Sequence, residues 1–267
     1  MELANYLGEH GPYRNTMVLV AFSGEEEGDL GARFYVDHPV CPLSRTMAML
    51  NLDAVGRMEG RKLYIFGTAS GAEFGEMIKG LNMVSMFDLV EPVKGAFASD
   101  QIPFYEKGIP VLHFFTGPNA DYHQPTDTED KINYDGMMDL LSFMQEATSF
   151  LGDRPGRITF VPAGAANAPA MAGAGAAGPR RVSLGTIPDF SRDSGGVLLQ
   201  GVMPGSPAEK AGLKAGDIVI SLGGKPIDTL ADFSAALKEH QPGDSVEVVV
   251  RRGADTLRPR VQLVERK

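Results

Sequence analysis

The chain has 267 residues, of which 43% are apolar and 22% are charged. This composition supports a buried core and excludes disordered and collagen-like chains. The single cysteine, Cys41, excludes an intramolecular disulfide and a cysteine-rich zinc module. The formal charge of −9 argues against general affinity for nucleic acid or anionic membranes, so we expect no nucleic-acid partner.

Charge and composition divide the chain into two unlike halves. Residues 1–153 carry 10 Lys and Arg against 23 Asp and Glu, a net charge of −13, whereas residues 154–267 carry 15 against 11, a net charge of +4. Nearly every residue between positions 162 and 179 is Ala, Gly or Pro, which predicts a flexible linker. We therefore predict a first domain over residues 1–153, a linker over residues 154–180 and a second domain over residues 181–267.

No stretch of the sequence predicts a membrane span. The longest apolar run covers residues 16–22, far short of the roughly 20 residues that a spanning helix needs. The first residues lack the basic and long apolar regions of a signal peptide and instead have the pattern of a helix.

Apolar runs alternate with amphipathic stretches through the first half. The apolar runs predict buried strands at residues 16–22, 46–52, 62–66 and 109–115, and helical spacing predicts helices at residues 30–38, 72–81 and 134–151. This alternation is typical of an α/β sheet with helices on its faces. Ligands of such sheets bind where strands end, so the loops after the strands are the places to look for chemistry.

The second half has shorter and more regular apolar runs. They predict strands at residues 197–202, 217–222 and 245–251 and a helix at residues 230–240, with Thr229 as its N-cap. The pattern indicates a small β-rich domain with at least one helix.

Carboxylates and a histidine follow three of the predicted strands. Glu25, Glu26 and Glu27 follow the first strand, Asp53 ends the second, and His123 lies in the loop after the last. If these strands are adjacent, the three loops open on one edge of the sheet. Carboxylates with a neutral imidazole suit zinc or a similar ion, and adjacent glutamates offer one ligand and one base. The alternatives are a solvated acidic turn and a histidine that is exposed or whose hydrogen bonds are satisfied within the fold.

Four short motifs occur in order along the first half. They are Ser23-Gly24-Glu25-Glu26-Glu27-Gly28 after an apolar strand, Asn51-Leu52-Asp53, Ser99-Asp100-Gln101-Ile102-Pro103-Phe104, and Asp121-Tyr122-His123 after the run that begins at Gly108. In this order they resemble the motifs of the co-catalytic di-zinc aminopeptidases, a family that also includes glutamate carboxypeptidase and glutaminyl cyclase. The resemblance covers nearly all of residues 1–150 and implies a mixed-sheet zinc exopeptidase sandwich of the α/β class.

The resemblance implies a role for each matching residue. Glu25 would be the general base, Glu26 and His123 would bind one zinc ion, and Asp53 would bind a second. Further residues that it places around the site or substrate pocket are Asp100, His113, Gly117 and Tyr122. The implied activity is hydrolysis of peptides with a free N-terminus by water that two zinc ions activate. Carboxypeptidase and glutaminyl-cyclase chemistry on the same fold stay open.

Part of the family's pattern has no counterpart in the chain. The family places a His-x-Asp motif and a metal-bridging Asp well before the glutamate pair, but no Asp precedes Asp29, and His10, in a loop-like stretch, does not match. We therefore expect an N-terminally truncated piece of a longer enzyme, with little or no activity of its own. The resemblance also implies an extracytoplasmic location, although this chain shows no signal peptide.

A second resemblance covers residues 181–267. The segment Arg181-Val182-Ser183-Leu184-Gly185-Thr186-Ile187, followed by residues 201–217, resembles a bacterial protease-type PDZ domain. In such domains a loop binds the carboxylate of a peptide C-terminus, and a strand and a helix form the groove. The residues implied in peptide binding are Ser183, Leu184, Gly185, Thr186, Ile187, Phe233 and Leu237. The spacing of the last two suits core packing equally well. A chain that works only as a peptide-binding module is therefore the alternative to an enzyme.

Overall fold

The computed structural model describes residues 1–90, 99–162, 181–189 and 194–265. Most of the predicted linker, residues 163–180, lies outside the described residues. The boundaries predicted for the two domains therefore stay predictions, and each half is described by itself.

Helices and short strands alternate in the first half. In chain order they are α1 (Glu2–His10), α2 (Leu30–Asp37), β1 (Met49–Leu52), β2 (Lys62–Phe66), α3 (Phe74–Ser85), β3 (Asp88–Val90), α4 (Ile102–Glu106), β4 (Val111–Phe115) and α5 (Tyr134–Asp153). The predicted α/β class is confirmed. The two short elements β3 and α4 were not predicted, because three to five residues carry too little periodicity to be recognised.

One mixed sheet forms the centre of the first half. Its strand order is β1-β4-β2-β3. β1 and β4 are parallel, with Asn51 beside His113, whereas β2 is antiparallel to β4. Every residue of β4 is buried, so this strand is the centre of the core. Because β1 and β4 are parallel, the loops that follow them leave the sheet at the same end.

Helices α3 and α5 pack on this sheet. The contact includes Phe74 from α3, Phe143 from α5 and Phe114 from β4, all of them fully buried. Burying an apolar side chain of this size stabilises the fold by roughly 1.5–3 kcal/mol. The start of α5 is also fixed, since the Asn133 side chain accepts a hydrogen bond from the amide of Gly136. The strand ends that carry the candidate site therefore rest on a well-packed base.

The prediction of a buried strand at residues 16–22 is wrong. The structure has no strand there, and Val18, Leu19 and Val20 are 44–58% exposed. Within the described residues β1 is the edge of the sheet, so this apolar run has no neighbouring strand. An apolar run is buried only where a second surface covers it. Phe22, at the end of the run, packs into the core beside α2 and α4.

His10 closes a helix and does not lie in a loop as predicted. It is the last residue of α1, its Nδ1 lies 2.9 Å from the carbonyl oxygen of Tyr6, and its ring stacks on the Tyr6 ring. The helix at the start of the chain thus continues beyond the apolar positions from which it was predicted.

The second half is β-rich, as predicted. Its elements are β5 (Val182–Ser183), β6 (Thr186–Pro188), β7 (Val197–Val202), α6 (Pro207–Lys210), β8 (Ile218–Leu222), β9 (Lys225–Pro226), α7 (Leu230–Lys238), β10 (Ser245–Arg252), β11 (Asp255–Leu257), β12 (Arg260–Gln262) and β13 (Val264–Glu265). The main sheet has the order β11-β10-β8-β7-β6. Thr229 caps α7 as predicted, in a capping box with Asp232.

Candidate active site

The turn before α2 and the loops after β1 and β4 meet at one end of the sheet. Asp53 follows β1 directly, and its amide donates to the carbonyl oxygen of Phe114 in β4. Glu25 lies in a tight turn in which the amides of Gly28 and Asp29 both donate to its carbonyl oxygen at 2.9 Å. The turn therefore positions Glu25, and the parallel pairing of β1 with β4 positions Asp53.

Glu26 and His123 meet across this end of the sheet. Oε1 of Glu26 lies 2.7 Å from Nε2 of His123. The imidazole stacks on the ring of Tyr122, with 3.9 Å between the ring centroids, and His123 has a φ of 59°, which is uncommon for a residue other than glycine. The two residues predicted to share one zinc ion are therefore brought together.

Several carboxylates lie close enough to Glu25 for their charges to affect its pKa. Burial is the main cause that raises the pKa of Glu25 to about 8, and the charges of Glu26 and Asp53 add to it. Burial and the charges of Asp29 and Asp53 raise the pKa of Asp100 to about 6. Among the described residues, Oδ1 of Asp100 is buried without a hydrogen-bond partner. This concentration of negative charge favours a cation at the site.

A chain of buried polar side chains lies behind Asp53. Oγ of Ser99 donates to Oδ2 of Asp53 at 3.0 Å. Nδ2 of Asn51 lies 2.9 Å from Oγ of Ser99, 3.1 Å from Oε1 of Gln101 and 2.9 Å from Nδ1 of His113. Burial lowers the pKa of His113 to about 3, so its ring is neutral and Nδ1 can accept. These hydrogen-bonded side chains fix the orientation of the Asp53 carboxylate.

The remaining predicted residues lie in or near the loop that carries His123. Gly117 is buried with a φ of 104°, and a Cβ there would lie 3.0 Å from the Tyr64 ring. Tyr122 is half-buried under the His123 ring, whereas Glu27 is exposed in its turn. Gly117 thus gives the loop a backbone conformation that other residues would strain.

Sequence reasoning assigned no role to three residues of this region. Asn51 and Ser99 stand inside the recognised motifs, so their adjacency to Asp53 and Asp100 is a signal that could have found them. Arg57 had no such signal, because its partners lie 64 and 70 residues further along the chain.

The donor groups at this end of the sheet match in kind, but not in number, those that zinc requires. Zinc binds carboxylate oxygen and neutral imidazole nitrogen, which are the groups that Glu26 and His123 bring together. In the part of the chain that the structure describes, no three His, Cys, Asp or Glu side chains lie close enough to hold a metal ion as a group. The donor chemistry therefore fits zinc, but the number of ligands falls short of the three that a catalytic zinc ion takes.

The predicted peptide-binding residues of the second half lie in two places, the segment from β5 to the edge strand β6 and the helix α7. Thr186 and Ile187 belong to this strand. Leu184, Phe233 and Leu237 are almost completely buried in the core of this half, so packing is the role that the structure shows for them. Their part in a peptide pocket stays a prediction.

The loop before β6 is tightly built. Gly185 has a φ of 73°, and its amide donates to Oγ of Ser183 at 3.1 Å. A Cβ on Gly185 would lie 2.3 Å from Cβ of Ser206. Only glycine fits this position.

The sequence patterns of two known families match the chain. Peptidase family M28 matches residues 1–148, and the PDZ domain matches residues 200–252. Because the first match spans more than half of the chain, the chain belongs to peptidase family M28. It combines a metallopeptidase-type unit with a PDZ module.

Individual proteins are similar to parts of the chain. The solved structure of BSAP, a zinc aminopeptidase from Bacillus subtilis, is 25% identical with a TM-score of 0.50 and covers 61% of this chain and 42% of that chain. Serine protease HTRA1 of Xenopus tropicalis is 41% identical over 71 residues, which is 27% of this chain and 15% of that protein. Periplasmic pH-dependent serine endoprotease DegQ of Escherichia coli is 38% identical over 68 residues, which is 26% of this chain and 15% of that protein. The chain thus spans about 15% of the length of these two curated relatives.

No helix within the described ranges has both the length and the apolar character needed to cross a membrane. This observation agrees with the absence of a long apolar run in the sequence.

Proposed function

We propose that the first half is the catalytic unit of a zinc aminopeptidase, which removes N-terminal residues from peptides, and that the PDZ domain binds peptides or a partner protein. The observation that carries this proposal is the 2.7 Å approach of Glu26 to His123, next to Glu25 and Asp53. The structural likeness to a zinc aminopeptidase supports zinc as the metal.

In this proposal Glu26 and His123 hold one zinc ion, and Asp53 takes part in holding a second. Zinc held there would supply Lewis-acid chemistry, which polarises a scissile carbonyl and lowers the pKa of a bound water. These three residues do not complete the ligand set of either ion, so further groups are required. The activity of the chain depends on whether such groups are supplied.

Glu25 acts as the general base in this proposal. The positive charge of zinc held by the neighbouring carboxylates would offset the charges that raise the pKa of Glu25 and so favour its ionised form. The half-buried carboxylate can then take a proton from the attacking water and return it to the leaving amine. Asp100 and Asp29 add negative charge nearby, which favours the ammonium group of a free peptide N-terminus. Gly117 and Tyr122, in the loop that carries His123, line the substrate pocket.

Two matched variants of the acidic turn test this proposal. Glu25→Gln and Glu27→Gln each replace a carboxylate by an amide of the same shape, two positions apart. We expect Glu25→Gln to lower hydrolysis of leucine p-nitroanilide by about 10²- to 10⁴-fold with the zinc content unchanged, and Glu27→Gln to change neither. The N-acetylated substrate should resist hydrolysis. Equal losses in both variants would contradict the assignment of Glu25 as the base.

A second candidate function is that of a peptide-binding module without catalysis. Two observations favour it. Among the described residues, no three potential ligands lie close enough together at the candidate active site to hold a metal ion. In addition, β6 lies at an edge of its sheet, where an added peptide strand can pair. A zinc-to-protein ratio near two in metal-free buffer supports the peptidase, whereas a ratio near zero with retained binding of C-terminal peptides supports the module.

Product analysis separates the reactions that this fold supports. Release of the first residue from an unblocked peptide indicates an aminopeptidase, release of the last residue a carboxypeptidase, and loss of ammonia from an N-terminal glutamine a cyclase. We also propose an extracytoplasmic location, which is supported by the name of the periplasmic relative DegQ.

A further inference from the structure

We propose that Arg57 is a positioning residue, which holds the loop carrying His123 so that the imidazole meets Glu26. The inference rests on the proposed function, because it concerns two residues proposed to bind zinc. Arg57 follows β1, whereas the loop follows β4, so the contact joins two separate segments of the chain.

The loop has little regular structure of its own. Between the end of β4 and residue 128 it contains turns but neither helix nor strand. The amide of Gln124 donates to the carbonyl oxygen of Asp121 at 2.8 Å, and the amide of Asp127 donates to that of Gln124 at 3.0 Å. Such bonds lie within the loop, so they shape it without fixing it relative to the sheet.

Arg57 supplies a connection to the sheet. Its Nη2 lies 2.9 Å from Oδ2 of Asp121, and its Nη1 contacts Oδ1 of Asp127. The two carboxylates stand on either side of His123 in the chain, and the Arg57 side chain is 18% exposed. A planar guanidinium can bind two carboxylates at once, which the ammonium group of lysine cannot do with the same geometry.

Arg57 is itself anchored to the strand ends. Its amide donates to Oγ1 of Thr116 at 3.2 Å, and that hydroxyl donates to the carbonyl oxygen of Ala54 at 2.7 Å. Nζ of Lys131 donates to the other carboxylate oxygen of Asp121 at 2.7 Å. Asp121 is therefore held from two sides, and the contact to Arg57 ties it directly to the segment that follows β1.

The conformation of His123 needs this support. With a φ of 59°, His123 occupies the left-handed region, which costs a residue other than glycine of the order of 1–2 kcal/mol. Such a conformation persists where its surroundings determine it. Loss of Arg57 would remove the guanidinium that binds Asp121 and Asp127 at once, and would leave Asp121 bound to Lys131 within the same stretch of chain.

Amide hydrogen exchange of the metal-free full chain measures how firmly the loop that carries His123 is fixed. The variants are Arg57→Ala and Arg57→Lys, and the matched control is Arg61→Ala, which removes an arginine of the same half that pairs with Asp139 in α5. We expect amides of residues 117–128 to exchange roughly tenfold faster in Arg57→Ala, at an intermediate rate in Arg57→Lys and at the parent rate in Arg61→Ala. Unchanged exchange in Arg57→Ala overturns the proposal.

Zinc affinity, measured by competition with a chromophoric chelator, tests whether Arg57 acts through His123. Arg57→Ala should weaken binding about 10- to 100-fold and should have no further effect when His123→Ala is already present. Equal weakening in both backgrounds, or none in either, overturns the proposal. If the parent chain binds no zinc, the proposed function fails by itself, and the exchange rates alone decide whether Arg57 holds the loop.

Discussion

The hydroxyl group of Ser99 links the candidate metal ligand Asp53 to the buried polar chain behind it. Ser99 is 1% exposed, donates to Oδ2 of Asp53 and lies 2.9 Å from Nδ2 of Asn51, which donates to it. Ser99→Ala removes both bonds. A bond to a charged group contributes about 1.5–3 kcal/mol and a neutral bond about 0.5–1.5 kcal/mol. We therefore expect the free energy of unfolding of the first half to fall by about 2–4.5 kcal/mol.

Ser70 provides a matched control. It is also 1% exposed, and its Oγ accepts from the amide and donates to the carbonyl oxygen of Val111, both at 2.8 Å. Ser70→Ala leaves a buried amide without a partner, which costs about 1–3 kcal/mol. Both variants thus destabilise the same half, but only Ser99 contacts Asp53. We expect only Ser99→Ala to weaken zinc binding specifically, by about 10- to 100-fold.

Two measurements on the same samples separate these effects. All seven tyrosines precede residue 135, so tyrosine fluorescence during urea denaturation reports the unfolding of the first half. Chelator competition reports zinc affinity under folded conditions. If Ser99→Ala and Ser70→Ala weaken zinc binding to the same extent, the cause is general loosening, and the argument that Ser99 orients Asp53 is refuted.

The remaining predictions concern the PDZ domain. Burial alone would raise the pKa of Asp217, but hydrogen bonds from Arg252 and a backbone amide outweigh it and lower the pKa. The pair therefore stabilises the folded state above the unfolded-state pKa of about 3.9, and this stability is lost as the pH falls through the lowered value. Asp217→Asn should reduce the loss of stability on acidification, followed by circular dichroism in urea, and an unchanged pH dependence would contradict this. Gly185→Ala should abolish peptide binding because its Cβ meets Ser206. Gly205→Ala, with a similar φ of 74° but open space around it, should cost only about 1–2 kcal/mol and leave binding intact. Equal peptide affinity in both variants would show that the clash at Gly185 is relieved.

The sequence by itself determined features that depend on short stretches of chain. The apolar run at residues 62–66 predicted β2 at its observed bounds, and the pattern beginning at Thr229 predicted both α7 and its cap. The pairing of Glu26 with His123, far apart in the sequence, was predicted only through the resemblance of the ordered motifs to a known family. Periodicity and capping are local properties, so a single sequence contains them in full.

Only the tertiary structure decided which surfaces and side chains find partners. Residues 16–22 have the composition of a buried strand, but no neighbouring strand covers them within the described part of the sheet. The contacts of Asn51 with His113 and of Arg57 with Asp121 join residues more than 60 positions apart. A polar residue looks the same in a sequence whether it meets water or a distant partner. Its role is decided by the pairing of parallel strands and by the loops that leave them at one end, because those bring distant residues within hydrogen-bonding distance.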